Sequence, residues 1–194
     1  MYTVVGGARS RAFRVLWALE ELGIPYEHLN EGPRSEKVLE LNPSGKVPVL
    51  LDGDQVITDS TAILTYLADK HGALTHPAGT IARARQDAHL HFVLDEMDSV
   101  LWTASKHSFA LPEAMRVPEI KPSLKEEWRQ SVERLDQRLE GEFLAGDSLT
   151  VPDVVACHCI GWAVVAKFPV ENERVKTWSK ALRNRPAYQR AAAL

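Results

Sequence analysis

Strand and helix signals alternate over roughly the first eighty residues of this chain, and then the strand signals stop. That switch limits the possible folds more than any single residue does. Tyr2–Gly6 is a short run rich in β-branched residues. Ser10–Leu22 carries Ala12, Val15, Leu16, Leu19 and Leu22 at the i, i+3, i+4 spacing of an amphipathic helix, and Gly23 stops it. Ile24–Asn30 reads as a second strand, and Ser35–Leu41 as a short helix ended by the turn cluster Asn42, Pro43, Ser44 and Gly45. Val47–Leu51 and Gln55–Thr58 flank Asp52, Gly53 and Asp54, which is a hairpin signal. Ser60–His71 reads as a third helix closed by Gly72, and Gly72–Gly79, with Pro77, as a linker. Beyond it Thr80–Ala110, Ser123–Glu140, Val151–Lys167 and Asn172–Asn184 all read as helices, with Pro112, Pro118 and Pro122 interrupting the first long connection.

The order βαβαββα is that of a thioredoxin-like domain. The predicted architecture is α/β followed by all-α: a thioredoxin-like domain over 1–73, a linker over 74–79 and an all-helical domain over 80–194. One local signal in the second part is sharp. Thr150 and Asp153 have the spacing of a capping box, with the Thr150 hydroxyl on the N3 amide and Asp153 reaching back to the Thr150 amide. Leu149 and Val154 occupy the hydrophobic-staple positions, so the helix from Val154 to Val165 is expected at the centre of the helical domain. The motif is structural and carries no chemistry.

Composition excludes several classes. With 45% apolar and 25% charged residues the chain is globular rather than disordered. A formal charge of −3 and a pI near 6.2 give no reason to expect nucleic acid or an anionic membrane as partner. No apolar run approaches the roughly 20 residues that span a bilayer, and Met1–Gly7 has no secretory character, so a cytoplasmic location is expected. Cys157 and Cys159 flank His158 in a helical stretch and diverge by about 200° around its axis. They read as buried structural thiols, and no Cys/His cluster has metal-ligand spacing, so no metal is expected.

Two pairs of residues carry more than fold. Val47 precedes Pro48 at the entry to the third strand. If that proline is cis, the Val47 amide and carbonyl face outward and can pair with an extended peptide as an added strand; the alternative is an ordinary trans junction. Asp59 and Ser60 stand at the start of the third helix. Free amides and the macrodipole there favour a carboxylate, although either residue can simply cap the helix.

Four segments, in order, resemble the glutathione transferase family and together span nearly the whole chain. They are Val5 to Val15 with Leu19 to Glu27, Asn42 to Leu51 leading into Thr58 to Leu64, Leu149 to Asp153, and the ending from Trp178 to Tyr188. The chain is most similar to serine-type, theta- or phi-like cytosolic members. The resemblance implies that Val47, beside Pro48, holds the cysteinyl backbone of glutathione, and that Ser60 and Asp59 hold the carboxylate and ammonium of its γ-glutamyl group. It also implies that Ser10, after the first strand, donates a hydrogen bond to the glutathione thiolate, whose free thiol has a pKa of about 8.5. The alternative for Ser10 is a helix cap. No tyrosine or cysteine lies in that loop, against the tyrosine- and cysteine-type relatives. Arg11 is expected to raise the local potential, Arg34 and Lys46 to meet the glycyl carboxylate, and Arg14 to be a solvated surface residue. A second-substrate site is expected between the domains along Thr80–Ala110, with Trp102, His107 and Phe109 as candidates. Phe13 and Trp17 are expected to pack against the helical domain. The implied function is transfer of glutathione to a hydrophobic electrophile, as in detoxification, by a homodimer with glutathione as co-substrate and no resident cofactor. The rivals are a glutathione-binding module without turnover and a glutathione-dependent peroxidase or disulfide reductase.

Overall fold

The computed structural model describes residues 1–194 as two compact units, Met1–Thr80 with Leu182–Leu194, and Ile81–Ala181. The first unit is thioredoxin-like. It contains β1 (Tyr2–Val5), α1 (Ala12–Leu22), β2 (Tyr26–Leu29), α2 (Glu36–Leu41), β3 (Val49–Asp52), β4 (Gln55–Thr58) and α3 (Ser60–His71). The sheet order is β2-β1-β3-β4, with β1 parallel to β2 and antiparallel to β3, and β3 antiparallel to β4. The central strands are the most apolar: Val4, Val5, Val49 and Leu50 are fully buried. Each observed element falls within about two residues of its expected range, the uncertainty inherent to helix and strand ends.

Helix α1 is buried from Ala12 to Leu19, because it lies against β1 on one side and against α3 and α9 (Pro186–Ala192) on others. Gly23 ends it at φ 65, a left-handed conformation that glycine adopts without strain, and its N–H returns to the Glu20 and Leu19 carbonyls. Pro186 at the first position separates α9 from the preceding helix, and its fixed φ suits that place. The Tyr188 ring lies edge-on to Phe13 at 4.8 Å and to Trp17 at 4.9 Å. Arg185 forks onto Glu21 with bonds of 2.6 and 2.8 Å, and Arg190 reaches Glu20 at 2.6 Å. Burial works to raise the Glu21 pKa, but the bonds from Arg185 and Trp17 outweigh it and hold the carboxyl below its usual range.

One boundary differs here. The helical domain was expected to run over 80–194, whereas Leu182–Leu194 belongs with the first unit. Phe13 and Trp17, expected to pack against residues of 80–194, do so at Tyr188, which lies in that returning segment. The cause is the pair of acidic residues at the end of α1, which offers Arg185 and Arg190 partners that the local sequence does not reveal.

The second unit is all helical: α4 (Ile81–Phe92), α5 (Ser99–Ser105), α6 (Lys121–Arg138), α7 (Val151–Val165) and most of α8 (Glu173–Arg183). Two π-helical turns, Val93–Asp98 and Lys106–Ala110, join α4 and α5 into one continuous run to Ala110. A π turn displaces a carbonyl from the regular ladder, and Ser131 of α6 donates to the Glu96 carbonyl at 2.8 Å. Helix α7 is buried from Val151 to Cys157 and forms the centre of this unit. Asp153, fully buried, accepts from the Thr150 amide at 2.9 Å, the Thr150 hydroxyl at 2.7 Å and the Leu144 amide at 2.8 Å. The carboxylate thus ties the start of α7 to the preceding loop. Its pKa is pushed up to about 6 by burial, against the pull of these bonds. Cys157 and Cys159 are both buried thiols.

Candidate glutathione site

The first unit presents its candidate residues after β1 and β4, where the chain enters α1 and α3, and just before β3. The chain leaves β1 through Gly6 at φ 139, a conformation that L side chains rarely adopt. A Cβ on Gly6 would sit 2.9 Å from the Ala12 Cβ and 3.0 Å from the Val47 Cβ. The missing side chain therefore lets the start of α1 and the Val47 segment approach each other. The His28 ring is 2.9 Å from the Gly6 carbonyl, and the Gly6 amide donates to Leu29 at 2.9 Å, so β2 holds this loop.

Ser10 is two residues before the first residue of α1 and is half-buried. Its hydroxyl donates to the Gly7 carbonyl at 2.8 Å and accepts from the Ala12 amide at 3.1 Å. The side chain is thus engaged within its own turn and serves one of the first amides of α1. Arg11 follows at the helix cap position and is half-buried.

The Val47–Pro48 peptide is cis, and β3 begins only at Val49, so Val47 lies just outside the ladder. Asn42, buried beneath it, donates to the Lys46 carbonyl at 2.9 Å and shapes the approach. Arg34 and Lys46 are both exposed. Arg34 donates its amide to the Gly45 carbonyl at 2.9 Å, and a Cβ on Gly45 would lie 2.7 Å from the Arg34 Cγ. The Arg34 stem thus lies close to the backbone of Gly45, the residue before Lys46.

Asp59 is the cap of α3. Its Oδ1 accepts from the Thr61 amide at 2.9 Å and the Ala62 amide at 3.1 Å, and its carbonyl accepts from Ile63 at 3.0 Å. The Asp59 side chain thus satisfies two of the donors that lack an intrahelical partner, and the Ser60 amide is another donor of that first turn. Asp59 holds φ 72, unusual for a side chain with a Cβ, and this turns its exposed carboxylate across the helix start. Ser60 is buried, and its Oγ accepts from Arg14 Nη1 at 3.3 Å.

Arg14 is the residue that sequence reasoning misplaced. It was expected on the surface and is 1% exposed. The signal was present: α1 is apolar on every side from Ala12 to Leu19 except at this one charged position, and such a helix is buried all round. Asn42 and His28 carried no comparable signal, because their roles depend on partners in other elements. In the second unit Trp102 is half-buried, His107 Nδ1 accepts from the Val117 amide at 3.0 Å, and Phe109 is 67% exposed on the second π turn.

The first unit thus carries a hydroxyl just before one helix, a cis peptide at Val47–Pro48 and a second helix start capped by Asp59, residue types that suit an extended anionic peptide. Residues 9–70 match the family model for the glutathione S-transferase N-terminal domain. Glutathione S-transferase 3 of Schizosaccharomyces pombe is 27% identical over 94% of this chain and 83% of its own length. Glutathione S-transferase theta-2 of Rattus norvegicus is 35% identical over 69% of this chain and 59% of its own length. The theta-class glutathione S-transferase of Xanthomonas axonopodis pv. citri, solved with glutathione bound, superposes with a TM-score of 0.80 at 26% identity, covering 98% of this chain and 96% of that one. The chain belongs to the glutathione S-transferase family, and its fold is a thioredoxin-like N-terminal domain with a helical C-terminal domain.

Proposed function

We propose that the protein is a serine-type glutathione transferase that joins the glutathione thiolate to a hydrophobic electrophile. The observation that carries this reading is the start of α3, where the Asp59 side chain occupies the Thr61 and Ala62 amides and leaves the Ser60 amide and hydroxyl for a carboxylate. Family membership and the glutathione in the Xanthomonas relative support it. In this reading the γ-glutamyl carboxylate lies on Ser60, its ammonium on the Asp59 carboxylate, and the cysteinyl backbone pairs with Val47 beside Pro48. Arg34 and Lys46 face the glycyl carboxylate, and Arg11 adds positive potential.

Ser10 then releases the Gly7 carbonyl and turns its O–H onto sulfur. Lowering a thiol pKa from about 8.5 to about 6.5 takes roughly 2.7 kcal/mol. A hydrogen bond to a charged acceptor supplies about 1.5–3 kcal/mol and a helix start about 0.3–1 kcal/mol, so the two together suffice. The thiol proton goes to solvent. The sulfur lone pair forms the new S–C bond, and the electron pair leaves with a departing group or passes into an activated double bond that is then protonated. The chemistry needs glutathione as co-substrate and no resident cofactor. Trp102, His107 and Phe109 are the candidates for the electrophile. The reading includes a homodimer acting in the cytoplasm; no helix is long and apolar enough to cross a membrane.

The engagement of the Ser10 hydroxyl with Gly7 favours a second reading, a glutathione-binding module without turnover. Calorimetric titration with glutathione and ultraviolet titration of the bound thiolate separate them. The transferase reading expects Ser60→Ala and Asp59→Ala to weaken binding by about tenfold or more, and Ser10→Ala to spare binding but raise the thiol pKa. Unchanged binding in the first two removes the site, and an unchanged thiol pKa in the third leaves Ser10 as a cap.

A further inference from the structure

A guanidinium in the interior is a costly group to hold, because it stays protonated at every accessible pH and its desolvation is uncompensated unless acceptors are placed to meet its N–H groups. Arg14 is 1% exposed on the one helix of the first unit that is buried on all sides, and one of its nitrogens donates to Ser60 Oγ at 3.3 Å. Ser60 is itself only 4% exposed and is the first residue of α3, a helix that runs from Ser60 to His71. A serine hydroxyl has one proton and two lone pairs. With Arg14 on a lone pair, the proton of Ser60 is directed away from α1. The guanidinium also places a full positive charge behind a helix start that already carries partial positive charge.

We infer that Arg14 is a positioning residue for the α-carboxylate of glutathione: without touching the ligand, it fixes Ser60 as a donor and adds its charge from beneath. The inference rests on the proposed reading of Ser60. It separates Arg14 from Arg11, Arg34 and Lys46, which are half-buried or exposed and able to approach a ligand directly.

The test compares glutathione with 4-aminobutanoyl-cysteinylglycine, which keeps the amino group and lacks the α-carboxylate. The readout is the ratio of the two dissociation constants, which does not depend on the folded fraction of a sample. The wild type should prefer glutathione by tenfold or more, since each hydrogen bond to a charged group is worth about that factor. Arg14→Gln should remove most of that preference, Arg14→Lys should restore part of it, and Arg14→Gln in a Ser60→Ala background should remove nothing further. If Arg14→Gln keeps the wild-type ratio, or the two substitutions act additively, Arg14 has no part in carboxylate binding. If the wild type itself does not distinguish the ligands, the reading of Ser60 fails first, and the inference with it. If Arg14→Gln does not fold, the guanidinium resonances of the wild-type protein decide. They should shift on adding glutathione and stay in place with the analogue, and equal shifts with both overturn the inference.

Discussion

The two units handle buried charge in opposite ways. In the first, Glu21 is paired with a cation, Arg185, and Arg14 donates to Ser60, the first residue of α3. In the second, Asp153 is surrounded by neutral donors only and closes on its own backbone at Thr150 and Leu144. Hence Glu21 is held below its usual pKa while Asp153 is pushed up to about 6. An interior carboxylate opposite a guanidinium is kept charged, whereas one held by amides and a hydroxyl still carries the desolvation penalty. In the proposed reading, the first arrangement keeps Ser60 for a ligand. The second spends every donor on the fold.

The largest effect expected from this contrast is in the second unit. Asp153→Ala strands two buried amides and a hydroxyl, and should lower the unfolding free energy by about 3–5 kcal/mol in urea denaturation. A loss under about 1 kcal/mol would mean that the capping box is ornamental. Next is the clamp of the returning segment: Arg185→Ala leaves Glu21 without its cation and should cost about 2–3 kcal/mol. Faster amide exchange confined to α9 and α1 would locate the loss.

The two carboxylates should also differ in the sign of their pH dependence. Asp153 has a folded pKa above its unfolded value, so the folded state holds the extra proton. Its contribution is complete below about 3.8 and is lost as pH rises through about 6. Glu21 has a folded pKa below its unfolded 4.5, so its contribution is complete above that value and is lost as pH falls through the folded one. Urea midpoints across pH 3–7 should therefore lose a falling component in Asp153→Asn and an acid-side rise in Glu21→Gln. If both variants change the profile in the same direction, the contrast between cationic and neutral partners is wrong. A smaller effect is expected at the site: Ser10→Ala should raise the bound thiol pKa by about 1–2 units and, through loss of the bond from the Ala12 amide, lower the unfolding free energy by about 0.5–1 kcal/mol. The smallest is at the surface, where Lys37 and Glu40 are 48% and 58% exposed and Lys37→Ala should leave both stability and binding within error.

Much of the fold was legible because it follows from local pattern. β4 and α3 fall where the sequence predicts, since Gly53 marks the hairpin, Asp59 the helix start and Gly72 its end. α9 was not legible. It has seven residues and buries only Ala187 and Ala191, so it has no periodic signal of its own. The π turns were hidden for a related reason: an extra residue in one turn leaves the surrounding helical pattern intact. At the site, the choice between Asp59 and Ser60 as cap was open in the sequence, and it is resolved by a φ of 72 that puts the Asp59 oxygen over the Thr61 and Ala62 amides.

The sequence by itself determined the order of elements, the switch from α/β to all-α and the types of residue available at each helix start. These depend on propensity, periodicity and capping within a few neighbours. Tertiary structure alone decided that Arg14 is buried against Ser60, that Arg185 seeks Glu21, and that the Ser10 hydroxyl turns onto Gly7. The first two join residues 46 and 164 positions apart. The third is three positions away, yet its loop is shaped by β2 and by the approach of Val47 to Gly6. A charged side chain is equally at home in water or opposite a suitable partner, and only the packed fold determines which of the two it meets.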